Sequence, residues 1–289
     1  MPALRQNRAT AKPEPGTAPA PRKPFLKWAG GKYRVLDRIL PELPAGSRFV
    51  EPFAGSCAVY LNVSFQSALV CDANQDLIHL YQHIQREGKN FIAYCQSLFT
   101  PDTNTKEQYI KFRAEFNSSA APRRRAALLV YLNRHSFNGL VRYNAKGQFN
   151  VPFGQYKAPY FPLAEMTDFF HKTREMKTDF VCRDFRDVFA SLRRDDVVYC
   201  DPPYVPLSGT ARFTSYAGRE FSLDDQRDLA ALARSARGRH IRVLISNHDT
   251  QVTRALYADA RIRAFTVQRF ISCQGSTRGA APELLALYR

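Results

Sequence analysis

We predict an α/β protein with a doubly wound, mostly parallel sheet, because short apolar runs alternate with segments of helical spacing along the chain. The strand-like runs are 47–55, 68–72, 178–185 and 197–204. Hydrophobic residues make up 45% of the 289 residues and charged residues 24%, which is typical of a folded globular protein. Ligands of such sheets bind at the carboxyl ends of the strands, so we look for functional residues there.

The first 24 residues differ in composition from the rest of the chain. They contain six of the 18 prolines and almost no large apolar side chain, and their five basic residues oppose a single acid. This composition predicts a disordered basic tail over 1–24. Such a tail either adds loose phosphate contacts or is an inert extension.

Each further element has its own signal. The run SRFVEPFAG (47–55) ends in a glycine turn, and ALVCD (68–72) precedes a segment with helical spacing. A serine N-cap and a closing glycine bound the helix predicted for 222–238. RVLISNHD (242–249) is a further strand, and RAFTVQRF with the terminal ELLALYR predicts an antiparallel pair.

Residues 85–165 break this alternation. They are rich in Arg, Asn, Phe and Tyr, begin with helix-like segments and continue into the loop-like SFNGLVRYNAKGQFNVPFGQY. We interpret this stretch as a mainly helical insertion that divides the sheet domain into 25–84 and 166–289.

The charge balance predicts a polyanionic partner. The chain has 42 Lys and Arg against 26 Asp and Glu, a formal net charge of +16, and neutralised phosphates supply most non-specific affinity for nucleic acids. No apolar run is long enough to span a bilayer, and the N-terminus lacks the apolar segment of a secretory signal. The six cysteines are scattered without a C-x-x-C pair, which favours reduced thiols and a cytoplasmic location.

Two strand ends resemble a nucleotide-type site. FAGSC (53–57) follows a strand, and its glycine turn lets a cofactor approach the backbone closely. Asp72 ends the next strand, where an acid meets ribose hydroxyls in such sites. The match to G-x-G-x-x-G is poor, so a dinucleotide is not implied. An ordinary structural turn explains this pair of features equally well.

The sequence VVYCDPPY (197–204) is more specific. Prolines fix the backbone, so the Asp201 carboxylate and the Pro202 carbonyl are expected to be rigid neighbouring acceptors, with the flat ring of Tyr204 nearby. Two acceptors and a stacking ring suit a planar amino group and would orient its nitrogen for attack on an electrophile. The alternative is a turn that merely ends a strand.

Several longer motifs occur in one order after residue 24. They are FLKWAGGK (25–32), EPFAG (51–55), YLNRHSFNGLVRYN (131–144), FNVPFGQY (149–156), VVYCDPPY, LISNHD (244–249) and ELLALY (283–288). In these motifs the chain resembles the Dam-type DNA adenine methyltransferases. The resemblance implies a Rossmann-like fold that uses S-adenosylmethionine (SAM), with the insertion as the DNA-recognition domain. It also implies methyl transfer to N6 of a flipped-out adenine in duplex DNA, usually within GATC.

The resemblance also implies roles for individual residues. The matching cofactor positions are Trp28, Lys32, Phe53, Asp72, Asp184 and Asp201. Asp201, Pro202 and Tyr204 match the residues that hold the target adenine, which must leave the helix to be reached. No metal is expected, because the sulfonium already supplies an activated methyl group.

The implied DNA-binding residues lie mainly in the insertion: Lys27, Arg134, Phe137, Asn138, Leu140, Arg142 and Tyr156. Arg142 matches a guanine-reading arginine and Leu140 a contact to a thymine methyl. Phe137 and Asn138 match residues that fill the gap left by the extruded base. The run Arg123 to Arg125 either meets phosphates, as Arg134 is expected to do, or forms a solvated helix face. The expected partner is double-stranded DNA at the nucleoid, bound by a monomer.

The chain departs from the family pattern at three positions. Cys57 stands where the family commonly has a second glycine, which puts a side chain near the cofactor. Gln155 stands for an arginine and Phe137 for a tyrosine, which leaves the target sequence less certain than the chemistry. Two alternatives stay open: SAM-dependent methylation of another planar nitrogen, on RNA or a glutamine amide, and a catalytically silent DNA-binding module.

Overall fold

The computed structural model describes residues 20–206, 215–216, 219–268 and 280–289. The strands are β1 Arg48–Glu51, β2 Ser67–Asp72, β3 Lys177–Cys182, β4 Asp196–Cys200, β5 Ser215–Tyr216, β6 Arg219–Glu220, β7 Arg242–His248, β8 Arg261–Gln268 and β9 Ala280–Tyr288. The α-helices are α1 Leu36–Ile39, α2 Gln75–Glu87, α3 Lys89–Gln96, α4 Lys106–Ser118, α5 Pro122–His135, α6 Leu163–Glu175, α7 Phe185–Ala190, α8 Leu223–Gly238 and α9 Gln251–Leu256.

Seven of the strands form one sheet in the order β3-β2-β1-β4-β7-β9-β8. The first five run parallel, and β9 lies antiparallel between β7 and β8. The predicted doubly wound, mostly parallel sheet and the antiparallel terminal pair are therefore confirmed. The chain leaves β1 toward β2 but leaves β4 toward β7, so the strand order reverses between β1 and β4. This switch point is where open α/β sheets place their ligands.

Hydrophobic clusters cover both faces of the sheet. Phe49, Val70 and Tyr199 belong to one cluster, whereas their strand neighbours Val50 and Cys71 belong to the other. Because side chains alternate between the two faces of a strand, strands covered on both sides must be apolar throughout. The second cluster includes buried residues of α8, the helix whose predicted start is confirmed by a capping box between Ser222 and Asp225.

Helices α2 to α6 lie between β2 and β3. Buried residues of α4, α5 and the following loop, among them Phe116, Leu128 and Phe149, belong to the same cluster as Val70 and Phe180 of the sheet. The segment predicted as an insertion thus shares its hydrophobic core with the sheet. Its boundaries as a separate domain, at 85 and 165, stay a prediction.

The N-terminal tail is only partly in view, since 1–19 lie outside the described residues. Arg22, within the predicted tail, forms a bidentate ion pair with Glu175 at 2.6 and 2.7 Å. Its backbone N–H also donates to the Asn62 side chain at 2.7 Å. Ordered chain therefore begins before residue 25. In the described ranges, no helix has the length and apolar character to cross a bilayer.

Candidate active site

The carboxyl ends of four neighbouring strands carry polar side chains at one edge of the sheet. Glu51 ends β1, Asp72 ends β2, Asp201 directly follows β4, and Ser246 lies near the end of β7. We call these four residues the strand-end site. Because β1 and β4 flank the switch point, Glu51 and Asp201 lie where the fold leaves a crevice for a ligand.

The Asp201 carboxylate is held on one oxygen by two side chains. Lys32 Nζ lies 2.9 Å from Asp201 Oδ1, and Ser246 Oγ donates to the same oxygen at 2.9 Å. Lys32 is buried, and its ammonium group also donates to the Gly30 carbonyl at 2.6 Å. Asp201 Oδ1 is thus fixed by two donors while its side chain stays 21% exposed. A fixed, partly exposed carboxylate is suited to accept a hydrogen bond from a ligand.

The rest of the DPPY turn is fixed from the neighbouring elements. Gln226 Nε2 donates to the Pro203 carbonyl at 2.7 Å, and the Val205 N–H donates to Asn247 Oδ1 at 3.1 Å. The Tyr204 hydroxyl donates to Glu283 at 3.3 Å. Burial raises the pKa of the Tyr204 phenol well above its ordinary value, and nearby carboxylates add to the shift. The Tyr204 ring is therefore neutral and anchored at its outer end, as a stacking surface requires.

Lys32 also connects the turn to the ring. Its ammonium nitrogen lies 4.5 Å from the centroid of the Tyr204 ring, within range for a cation–π contact. The predicted cofactor residue Lys32 and the predicted adenine-holding residues Asp201 and Tyr204 are thus brought together. No local sequence pattern predicts this contact, because about 170 residues separate the two segments.

Asp72 is a backbone-binding carboxylate at the end of β2. Its two oxygens accept from the N–H groups of Gly55, at 3.0 Å, and Asn74, at 2.9 Å. Burial raises the pKa of Asp72, whereas these two hydrogen bonds oppose the shift. Gly55 has a φ of +45°, and a Cβ built on it would lie 2.8 Å from Trp28 Nε1. The predicted cofactor residues Trp28 and Asp72 therefore both lie next to Gly55, where there is no room for a side chain.

Phe53 and Asp184 lie at the same edge of the sheet. The Phe53 ring packs 5.5 Å from that of Phe185, at the start of α7. Asp184 is the N-cap of α7, accepting from the Arg186 N–H at 2.9 Å, and forms an ion pair with the Arg186 side chain at 3.3 Å. Asp184 thus directly precedes the residue that packs on Phe53, and its carboxylate caps the start of α7.

Glu51 is a site residue that our sequence analysis did not assign. It is 2% exposed, and its Oε2 atom has no hydrogen-bond partner in the described part of the chain. Burial raises the pKa of Glu51 well above its ordinary value, and the charges of Asp201 and Asp72 raise it further. Glu51 therefore interacts electrostatically with both Asp72 and Asp201. The signal was an acid at the end of an apolar run, as for Asp72.

Cys57 adopts the backbone conformation that favours glycine. Its φ is +59°, and its side chain is fully buried in the core rather than exposed toward the site. Burial raises the pKa of the Cys57 thiol well above its ordinary value, so the group is neutral. The five cysteines in the described ranges are free thiols.

A second group of predicted residues surrounds Asn133, in the last turn of α5. Asn133 is fully buried and accepts from the Lys27 N–H at 2.9 Å. Its amide group donates to the carbonyls of Lys27 and Gly139, both at 2.8 Å. The Lys27 ammonium in turn lies 4.5 Å from the centroid of the Tyr156 ring. One buried amide thus joins Lys27 to the loop that carries the other predicted DNA-binding residues.

The loop from 136 to 156 presents several predicted residues at the surface. Phe137 is 52% exposed, and Asn138 adopts a left-handed φ of +55°. Arg142 is exposed, and its Nε donates to Asn150 Oδ1 at 2.8 Å. Leu140 is half-buried against the core. We call Lys27, Phe137, Asn138, Arg142 and Tyr156 the loop surface.

Arg134 differs from the other predicted DNA-binding residues because it is buried. It is 8% exposed, donates to the Phe25 carbonyl, and lies 5.5 Å from the Tyr160 ring. Burial lowers the pKa of Arg134. In this conformation Arg134 supports the segment before Lys27, and a phosphate contact would require it to move.

The run Arg123 to Arg125 is paired with acids of the protein. The three side chains pair with Glu87, Glu115 and Asp76, at distances of 2.6 to 2.7 Å. Their charges are thus used within the protein. In the described ranges, no group of three or more potential metal-ligating side chains comes together.

The mostly parallel seven-stranded sheet with flanking helices is consistent with a Rossmann-like methyltransferase fold. The chain matches a family model for the D12 class of N6 adenine-specific DNA methyltransferases over residues 28–271. It is 49% identical over 265 residues to the DNA adenine methylase of Escherichia coli strain K12, with 92% of this chain and 95% of that protein covered. The chain therefore belongs to the D12 class and is an adenine-specific DNA methyltransferase.

Other relatives are similarly close. The DNA adenine methylase of Salmonella typhi is 48% identical, with 92% of this chain and 95% of that protein covered. The DNA adenine methylase of Vibrio cholerae serotype O1 is 47% identical over 268 residues, with 92% and 96% covered. The similarity extends over nearly the whole length of each protein, and the family match spans the strand-end site and, apart from Lys27, the loop surface.

Proposed function

We propose that this enzyme transfers the methyl group of SAM to N6 of an adenine flipped out of duplex DNA, within GATC. The observation that carries the proposal is the geometry at Asp201, whose carboxylate is fixed on one oxygen beside an anchored tyrosine ring. A base must leave the stack before its exocyclic amine can enter such a corner.

The residues of the strand-end site fit the chemical groups of SAM. Glu51, Asp72 and Asp201 place acidic groups along one edge, which suits a ligand with a sulfonium and an ammonium group. Gly55 allows close approach to the backbone beside Trp28, where a Cβ would collide. We assign Trp28, Lys32, Phe53, Asp72 and Asp184 to cofactor binding, with Asp72 on the ribose hydroxyls. When bound, SAM supplies an activated methyl group.

The adenine would be held by the DPPY turn. Asp201 and the Pro202 carbonyl accept the two hydrogens of the N6 amine, which directs the nitrogen lone pair toward the methyl group. Tyr204 supplies the stacking face, and its fixed orientation reduces the entropy lost when the base binds. Asp201 Oδ1 already accepts from Lys32 and Ser246, so Oδ2 is the oxygen we assign to the amine.

The loop surface would read the DNA. Arg142 is exposed and forked, as a bidentate contact to guanine requires. Phe137 is an exposed apolar ring next to Asn138, and a ring inserted into the helix replaces the stacking lost on extrusion. Lys27 and Tyr156 lie beside them, and Leu140 is assigned to a thymine methyl. Arg134 is assigned to a phosphate only if it leaves its buried position.

The test is transfer of labelled methyl groups from SAM to matched DNA duplexes. We expect label at adenine N6 in a duplex with one GATC site, and little in a duplex of the same composition with that site scrambled. A structured RNA and a protein extract serve as further acceptors. Label in RNA or protein would contradict the assignment, and equal labelling of both duplexes would contradict GATC.

A further inference from the structure

A groove at the edge of the sheet contains none of the residues assigned above to cofactor, adenine or target DNA. It has a volume of about 510 Å³ and runs along β3, the edge strand, between α2 and the segment after α7. Side chains that donate hydrogen bonds dominate its polar lining: Arg48, Gln82, Gln85, Arg86, Arg183 and Arg193.

The groove carries an excess of positive charge. Arg48 is neutralised by a bidentate ion pair with the buried Asp196, at 2.6 and 2.9 Å. In the part of the chain that the structure describes, Arg86, Arg183 and Arg193 have no carboxylate within ion-pair distance. Asp179 is the single carboxylate in the lining, so three guanidinium groups oppose one acid.

This arrangement differs from that of several other arginines on the surface. Arg227, Arg234 and Arg254 are all more than half exposed, yet each lies within 2.6 Å of an aspartate oxygen. These three arginines are thus paired with acids although water could solvate them, whereas Arg142 and Arg174 bond, among the described residues, only to amide or carbonyl oxygens. Like charges gathered without partners repel one another and attract counter-ions, which favours a binding role for the groove.

Phosphate is the anion that suits this lining best. Guanidinium groups bind phosphate oxygens through two parallel N–H bonds, and Arg86, Arg183 and Arg193 are exposed enough to do so. The Ser191 hydroxyl, also in the lining, already donates to the Val188 carbonyl at 2.8 Å and is not counted among these groups. Because the chain acts on DNA, we propose that this groove binds backbone phosphates of DNA outside the site being methylated. It would form a second, sequence-independent DNA contact beyond the proposed function.

The test compares a double variant with a charge-matched control. R86A/R193A removes two charges from the groove and leaves Arg183, which borders Asp184. R227A/R234A removes two charges from exposed arginines on α8 that already have partners. Binding to a long duplex without the target sequence is measured over a range of salt concentrations. Two lost phosphate contacts should make the slope of log K against log salt less steep by about 2, and the control should match the wild type.

Methylation of a short duplex with one target site should be the same in R86A/R193A and the wild type. An unchanged salt slope, or an equal change in the control pair, would overturn the proposal. Inorganic pyrophosphate is a second probe. If pyrophosphate raised the melting temperature of the wild type but not of R86A/R193A, and the salt slope of DNA binding did not change, the groove would be assigned to small phosphate compounds. Loss of short-duplex methylation in the folded double variant would place the groove in the primary site. The proposed function is tested separately, by label transfer in the wild type.

Discussion

The strand-end site and the loop surface are built in opposite ways. At the strand-end site, Asp72 and Asp201 follow rigid parallel strands, and each carboxylate receives at least two hydrogen bonds or ion pairs. On the loop surface, Phe137 and Arg142 project from a loop. The hydrogen bonds that hold this loop include a buried one from Asn133 to the Gly139 carbonyl and an exposed one from Arg142 to Asn150. Under the proposed function, methyl transfer would take place where the fold is rigid, and DNA recognition where side chains can change at little cost to the fold.

The two regions should therefore respond differently to mutation. Changes at the strand-end site should remove the reaction and leave DNA binding. Changes on the loop surface should alter which DNA is used and leave the reaction. The following predictions test this division, beginning with the largest effect.

Replacing Asp201 with alanine should lower the rate of methyl transfer by about 10³-fold or more, because only the Pro202 carbonyl is then left to orient the amine. Duplex affinity should stay close to that of the wild type. Initial rates and a binding titration on one GATC duplex measure both quantities. Asp224→Ala removes an acid that is 82% exposed on α8 and serves as the control. A D201A variant with near-normal turnover would exclude the proposed role.

Replacing Asn133 with alanine should destabilise the protein by about 3 kcal/mol, since three buried backbone groups of Lys27 and Gly139 lose their partner. Denaturant unfolding measures this free energy. Asn90→Ala, at an exposed position on α3, should change it by less than about 0.5 kcal/mol. If N133A were equally mild, the loop surface would not depend on the buried amide.

Part of this division was visible in the sequence. Asp72 and Asp201 were found because an acid after an apolar run marks a strand end, and strand ends of a parallel sheet converge. Asn133 was missed, although a polar residue within the apolar run of α5 was a usable signal. Glu51 was missed within a motif already noted for its turn.

Other features could not be read from the sequence. Arg123 pairs with Glu87 and Arg125 with Asp76 across two helices, so nothing local distinguishes them from a phosphate-binding run. The position of β9 between β7 and β8 likewise depends on long-range contacts. Adjacency in the chain predicts only that β9 pairs with β8. Local sequence patterns determine where helices and strands form. Ion pairs and strand pairings between distant segments are determined only when the chain has packed.

Replacing Arg142 with alanine should reduce discrimination between GATC and singly substituted sites by about 10- to 100-fold, the value of one bidentate base contact. Non-specific affinity should change less, because phosphate contacts do not distinguish bases. Initial rates on a set of substituted duplexes measure the ratio. Arg142→Lys keeps the charge without the fork and should lose nearly as much discrimination. Unchanged selectivity in both variants would remove Arg142 from base reading.

Replacing Glu51 with glutamine tests the buried acid. Because the pKa of Glu51 is raised in the folded protein, the folded state holds its proton more tightly than the unfolded state does. The stability contributed by that proton is present below the ordinary value of 4.5 and is lost as the pH rises. The wild type should therefore lose stability relative to E51Q above that pH, by at most about 1.4 kcal/mol per pH unit. Melting curves from acid to neutral pH would reveal a constant difference if Glu51 were instead ionised in both states.

The smallest effect concerns Cys57. Its backbone conformation favours glycine, whereas its buried side chain contributes to packing. At φ +59° a Cβ is strained, so glycine relieves the strain, whereas alanine keeps it and also loses the buried thiol. C57G should be more stable than C57A by about 1 kcal/mol, the reverse of the usual order of these residues in regular structure. Thermal unfolding of the two variants measures the difference. If C57A were the more stable, packing would outweigh strain at this turn, and the glycine common in the family would need another explanation.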